Sequence, residues 1–227
     1  MSNILIETKD VRRGFPIGGD TYWAVKGITM NIPEGGLTML QGRSGSGKTT
    51  MMNMLGALDY PTSGDILFNG ASITNISDKK RDILRSKEMG FVFQSVALVS
   101  MMTAFENVEF ILRINGYPAA QRKKRVESCL DMVGLAARMH HMPPELSGGE
   151  QQRVAIARAI AHKPKVVFAD EPTAQLDTTA SLQVVKIFKN LIEQEGATVV
   201  MTSHDPGLME IADTVFELED GEIVNES

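Results

Sequence analysis

A short apolar run, Leu37-Thr-Met-Leu-Gln41, ends in a glycine-rich loop, Gly42-Arg-Ser-Gly-Ser-Gly-Lys48-Thr49, and a helical pattern starts at Thr49. Few folds accept this order. The glycines let successive backbone N–H groups, from Gly42 through Arg43, Ser44, Gly45, Ser46 and Gly47, converge on one anion, and the helix N-terminus adds positive potential. Lys48 adds a point charge for β- and γ-phosphates, and the Thr49 hydroxyl is placed to ligate Mg²⁺. The cradle is read as Gly42 to Thr50. The spacing fits G-x-x-x-x-G-K-[ST] in the strand–loop–helix setting that this pattern requires.

Around the loop the pattern is that of an α/β chain. Before about residue 90 it reads as short strands separated by turns, with Ile28, Met30 and Ile32 alternating with polar residues and Asp65-Ile-Leu-Phe entering an Asn69-Gly70 turn. Met89-Gly-Phe-Val-Phe93 reads as a buried strand. From about Ser95 to Gln152 helical periodicity takes over, with Val126, Cys129, Leu130 and Val133 on one face. Alternation then returns: helix near 150–162, strand 165–169, helix near 178–195, strand 197–201 and a hairpin at Asp220-Gly221. The expected class is a parallel α/β core with an antiparallel β portion and a helical insertion.

Two further segments carry chemistry. Val166-Val-Phe-Ala-Asp170-Glu171 is an apolar strand ending in adjacent acids, costly to bury unless a cation or hydrogen bond compensates them. Alternation aims the two side chains apart, which leaves Asp170 for a metal shell and Glu171 for a water as general base. Leu146-Ser-Gly-Gly-Glu150-Gln-Gln-Arg153 precedes an Ala-rich helix. Ser-Gly-Gly there is either a second anion-binding N-terminus or an N-cap alone. A chain with two such cradles binds one nucleotide twice or shares two nucleotides between two chains.

Taken in order, these motifs resemble those of ABC-transporter nucleotide-binding domains along the whole chain: Walker A at 42–49, a Q-loop glutamine in Phe91-Val-Phe-Gln94, the signature 146–150, Walker B at 166–170 with Glu171, a D-loop Ala174-Gln-Leu-Asp177, and a switch histidine in Thr202-Ser-His204. The resemblance implies one domain over 1–227 with a P-loop NTPase (RecA-like) fold. Residues 1–94 and 153–227 would form the nucleotide-binding core with its antiparallel β subdomain, and 95–152 the helical signature subdomain. It also implies a head-to-tail dimer with ATP and Mg²⁺, in which Walker A of one copy and Ser147, Gly148 and Gly149 of the other enclose each nucleotide. Thr49, Gln94 and Asp170 would serve the metal, Glu171 would be the base, and His204 would hold the γ-phosphate and position the water. Asp177 would contact the opposite copy. The adenine-stacking aromatic expected upstream of Walker A is Phe15, with Tyr22 and Trp23 as rivals. Within the family the chain is similar to the MacB/LolD/FtsE group. It departs at Gln175, where small residues or Asn are usual, and in Val99-Ser-Met-Met-Thr103, where a Pro-containing segment is common.

The implied partner is a separate integral membrane permease met near the Q-loop, where Met101-Met102 offers an adaptable apolar surface. The implied place is the cytoplasmic face of the membrane. The alternative is a regulatory ATPase that gates a membrane protein controlling a cell-envelope enzyme. The sequence has 23 Lys+Arg against 28 Asp+Glu, net −5, which disfavours nucleic acid as partner, and its single cysteine excludes an internal disulfide. No apolar run reaches the roughly 20 residues of a bilayer span. His140-His141 reads as loop, Arg122-Lys-Lys-Arg125 as a solvated helix face and Cys129 as buried.

Overall fold

The computed structural model describes residues 3–227. In chain order the elements are β1 (Ile4–Ile17), β2 (Asp20–Pro33), β3 (Leu37–Gln41), α1 (Lys48–Leu55), β4 (Ser63–Phe68), β5 (Ala71–Ser72), α2 (Asp78–Glu88) and β6 (Met89–Val92). They continue with α3 (Ala104–Ile114), α4 (Ala119–Met132), α5 (Gly148–Ile160), β7 (Val166–Ala169), α6 (Thr178–Glu195), β8 (Thr198–Ser203), β9 (Thr214–Glu219) and β10 (Glu222–Glu226). The chain forms two compact units. One comprises the residues up to Arg85 together with Thr198–Ser227, the other Ser86–Ala197.

In the first unit β2-β1-β4-β5 form an antiparallel sheet. The strands β1 and β2 are far longer than the short strands expected from the sequence, 14 residues each. Register shifts at Thr8/Val11 and Arg13/Gly14 explain the mismatch, because each bulge resets the inside–outside alternation on which a strand is recognised. Thr8 is fully buried yet paired: its hydroxyl donates to the Ile28 carbonyl at 3.1 Å and accepts from the Met30 amide at 2.9 Å. A second set of strands places β3 between β8 and β9, parallel to both, with β10 folding back on β9. Leu37, Met39, Leu40, Val199, Val200, Met201 and Phe216 are buried there, as a strand covered on both faces requires.

In the second unit β6 and β7 pair in parallel, Val92 opposite Ala169. The α4 face is as the periodicity reads it, with Val126, Cys129, Leu130 and Val133 all buried. Burial pushes the Cys129 thiol up to about 11, so it is a packing residue rather than a nucleophile. Arg125 departs from the solvated face expected of 122–125. Only 7 % exposed, it donates to the Ile160 and Ala161 carbonyls at 2.7 and 2.8 Å and pairs with Glu195. The last carbonyls of α5 need donors, and a guanidinium supplies several in one plane.

Candidate active site

In the first unit the register of parallel strands assembles one edge of the site. Gln41 lies opposite Ser203 on one side and Glu217 on the other, so Gly42, His204 and Leu218 follow directly at the carboxyl ends of three adjacent strands. That is where open α/β sheets bind ligands. The loop leaves β3 through Gly42, where a Cβ would sit 2.2 Å from the Leu218 carbonyl oxygen. It enters α1 through Gly47 (φ +100), where a Cβ would meet the Ala24 oxygen at 2.4 Å. Both positions therefore demand glycine, whereas Gly45 between them faces open space.

Lys48 is only 5 % exposed, and its ammonium donates to the Gly42 and Arg43 carbonyls at 2.7 and 2.9 Å, folded across the loop it would serve. Ser46 is 6 % exposed and its Oγ lacks a hydrogen-bond partner, as does the buried Gln41 Oε1. Buried polar atoms of this kind call for a ligand or water. They border a cleft of about 780 Å³ lined in part by Arg43, Ser44, Gly45, His204 and Glu217. Thr49 is exposed and Thr50 half-buried on the first turn of α1, and His204 is exposed just past β8. The sequence reading missed the support beneath this loop. The Gly221 amide, in the β9–β10 turn, donates to the Ser46 carbonyl at 3.1 Å, and the Gly221 carbonyl accepts from Lys26.

Phe15 sits on β1 opposite Tyr22, which puts those two rings on one face of the hairpin, while Trp23 packs from the other face against Gly14. Phe15 is half-buried, Tyr22 and Trp23 exposed. The Arg13 guanidinium lies 4.5 Å from the Phe15 ring centroid.

In the second unit the ends of β6 and β7 present Gln94 and Asp170-Glu171 side by side. The Asp170 amide donates to the Val92 carbonyl at 2.9 Å, and Gln94 Nε2 stands 3.5 Å from Glu171 Oε2. Glu171 has a φ of +44°, a conformation that costs a non-glycine residue about 1–3 kcal/mol and gathers at functional sites. Ser147 is the N-cap of α5 within a full capping box. Its Oγ accepts from the Glu150 amide at 3.3 Å, and Glu150 accepts from the Ser147 amide at 2.9 Å. That backbone hydrogen bond holds the Glu150 carboxyl below its ordinary range. These bonds are those of an N-cap. Ser147 and Gly148 are exposed, and Gly149 packs 3.3 Å from Ala180 at its would-be Cβ. Asp177 caps α6, accepting from the Ala180 amide.

His141 lies beside Arg138, and no group of three or more His, Cys, Asp or Glu among the described residues is disposed to hold a metal.

The family model described as ABC transporter matches residues 25–174, well over half the chain. The chain belongs to the ABC transporter family. It is 43% identical to an uncharacterized ABC transporter ATP-binding protein of Methanocaldococcus jannaschii over 97% of this chain and 98% of that one. It is 40% identical to the macrolide export ATP-binding/permease protein MacB of Syntrophobacter fumaroxidans, covering 98% of itself but only 32% of MacB. Among solved structures it resembles the ATP-binding cassette MJ0796, described as a dimer in a post-hydrolysis state bound to ADP and Pi. The TM-score is 0.90 at 36% identity, with 98% of each chain covered. The fold is therefore that of an ABC ATPase cassette, and the chain is the ATP-binding, ATP-hydrolysing subunit of a transporter.

Proposed function

We propose that two copies of this ABC ATPase close head to tail around ATP and Mg²⁺ and drive an integral membrane permease from the cytoplasmic face of the membrane. The observation that carries this reading is the exposed, capped Ser147-Gly148 N-terminus of α5. It is a second anion-ready helix end in a chain that also carries a complete phosphate loop. The dimer described for MJ0796 supports a pairing of two copies, and the name of MacB supports a permease partner. No helix among the described residues is long and apolar enough to cross a membrane.

The backbone donors of 42–47, with Lys48 and Thr50, hold the phosphates. Gly45 leaves the approach open, and the orphaned Ser46 hydroxyl is available to a phosphate oxygen. Thr49, Asp170 and Gln94 offer the oxygens a Mg²⁺ ion accepts, and the ion supplies charge neutralisation at the phosphates. Glu171 takes the proton of the attacking water, with Gln94 at its side. His204 donates to the γ-phosphate and orients that water. Ser147, Gly148 and Gly149 of one copy reach the nucleotide of the other, and Asp177 touches the other copy. Phe15 carries the adenine.

The permease contact is placed at the segment after Gln94. Asn107, buried on α3, accepts from the Val99 amide and donates to the Val99, Met102 and Thr103 carbonyls, and so fixes a loop whose tip, Met101, is 86 % exposed. The transported class we assign is a lipid, lipoprotein, peptide or drug-like molecule, moved outward or acted on mechanically. The test is the Glu171→Gln variant with Mg-ATP. It accumulates as an ATP-bound dimer on size exclusion and is retained by its membrane partner. A variant that stays monomeric with ATP bound contradicts the shared-site reading.

A further inference from the structure

We propose that Arg13, clasped by Asp59, is a positioning residue that sets the Phe15 ring as the platform for the adenine base. The proposal rests on the reading of Phe15 as the base-stacking aromatic.

Phe15 stands near the turn of a long two-stranded hairpin, among exposed Ile17, Tyr22 and Trp23. Such a tip has little packing of its own to hold a ring still. The structure supplies the anchor from outside the hairpin. Arg13 Nε and Nη2 donate to the two carboxylate oxygens of Asp59, each at 2.8 Å, a planar fork-to-fork pair with both side chains about three-quarters covered. That fixed plane lies 4.5 Å from the Phe15 centroid and takes one face of the ring. Arg12, the neighbouring guanidinium, pairs locally with Asp10 on the surface. Two more bonds tie the same segment to the strand. Thr62 donates its amide to the Arg12 carbonyl at 2.7 Å, and its hydroxyl accepts from the Gly14 amide at 3.0 Å.

Asp59 follows α1, and α1 springs from the phosphate loop. The clasp therefore sets the distance from the phosphate cradle to the base platform through one short, doubly bonded path. The cation also withdraws electron density from the ring, so the face left for a purine is the more receptive one. A lysine, a point charge without a fork, would keep a cation beside Asp59 but hold the ring less firmly.

The experiment compares equilibrium binding of ATP with binding of inorganic tripolyphosphate, which lacks a base. Phe15→Ala should weaken ATP about tenfold, the scale of one base–aromatic stack. Arg13→Gln and Asp59→Asn should each weaken ATP about two- to fivefold while tripolyphosphate affinity is retained. Arg13→Lys should fall between, and Arg13→Gln should add nothing in the Phe15→Ala background. Equal losses for both ligands, or an additive loss in that background, overturn the proposal. A Phe15→Ala protein that binds ATP normally removes the platform itself. One that loses ATP affinity beside unaffected Arg13 and Asp59 variants removes the clasp alone. If Arg13→Gln does not fold, Arg13→Lys and Asp59→Asn carry the same comparison.

Discussion

Glu171 is held at a φ of +44° at the end of an apolar strand, with Gln94 3.5 Å from its carboxylate. A backbone strained at a carboxylate is tolerated where the direction of that carboxylate matters. Replacing Glu171 by Gln keeps the shape and removes the base, so steady-state ATP hydrolysis should fall about 10²- to 10⁴-fold while ATP binding persists. Phosphate release and nucleotide binding, measured side by side, check this, and near-normal turnover would take Glu171 out of the mechanism. Lys48 presents the opposite case. Its ammonium spans the loop between two carbonyls, so Lys48→Ala removes both a phosphate contact and a brace of the cradle. Nucleotide binding should be lost, read as absent fluorescence from a labelled ATP analogue. An unchanged affinity would contradict the phosphate-loop assignment. The loop and the acid pair are legible in sequence because each departs sharply from an apolar run. The Arg13–Asp59 pair is not, since its partners are 46 residues apart and neither belongs to a motif.

Among the elements, legibility follows regularity. The helix α6 runs from 178 to 195 as its pattern reads, and the 166–169 strand and the Asp220-Gly221 hairpin lie where their sequences place them. The β1–β2 hairpin escapes because its bulges break the alternation. Arg125 escapes because a charge within a basic run on a helix gives no hint that it turns inward to close another helix. Its role makes a stability prediction. Arg125→Ala leaves Glu195 without its buried partner and the Ile160 and Ala161 carbonyls without a donor, at a cost of about 3 kcal/mol. For a chain of this size that lowers the thermal midpoint by roughly 6–12 °C. Calorimetry of Arg125→Ala beside Arg125→Lys, which restores part of the bonding, checks it. A midpoint unchanged in both would show that the pair contributes nothing net.

At the scale of the whole molecule, acid stability should decline in two stages, because groups of two kinds, a buried histidine and hydrogen-bonded carboxylates, titrate differently in the folded and unfolded chain. His162 donates through Nε2 to the Met89 carbonyl at 3.0 Å, and its Nδ1 is buried without a partner. Burial lowers its folded pKa below the unfolded value of about 6.5. Below that pH the unfolded chain takes up a proton that the folded chain refuses. Stability is therefore complete above about pH 6.5 and declines as the pH falls toward the folded value. The second stage belongs to carboxylates. Asp65 accepts from the Ser72 and Thr74 hydroxyls, each at 2.6 Å, and these bonds hold its carboxyl below the ordinary range. Glu106 is lowered likewise by the backbone amide of Thr103, and Glu150 by that of Ser147. Their contribution is present above about pH 4 and lost on further acidification. Thermal midpoints measured from pH 8 to pH 3 should therefore show a shallow fall beginning near pH 6.5 and a steeper one near pH 4. In His162→Gln, whose amide can still donate to the Met89 carbonyl, the first fall should vanish and the second remain. If the first fall persists in that variant, His162 does not carry it.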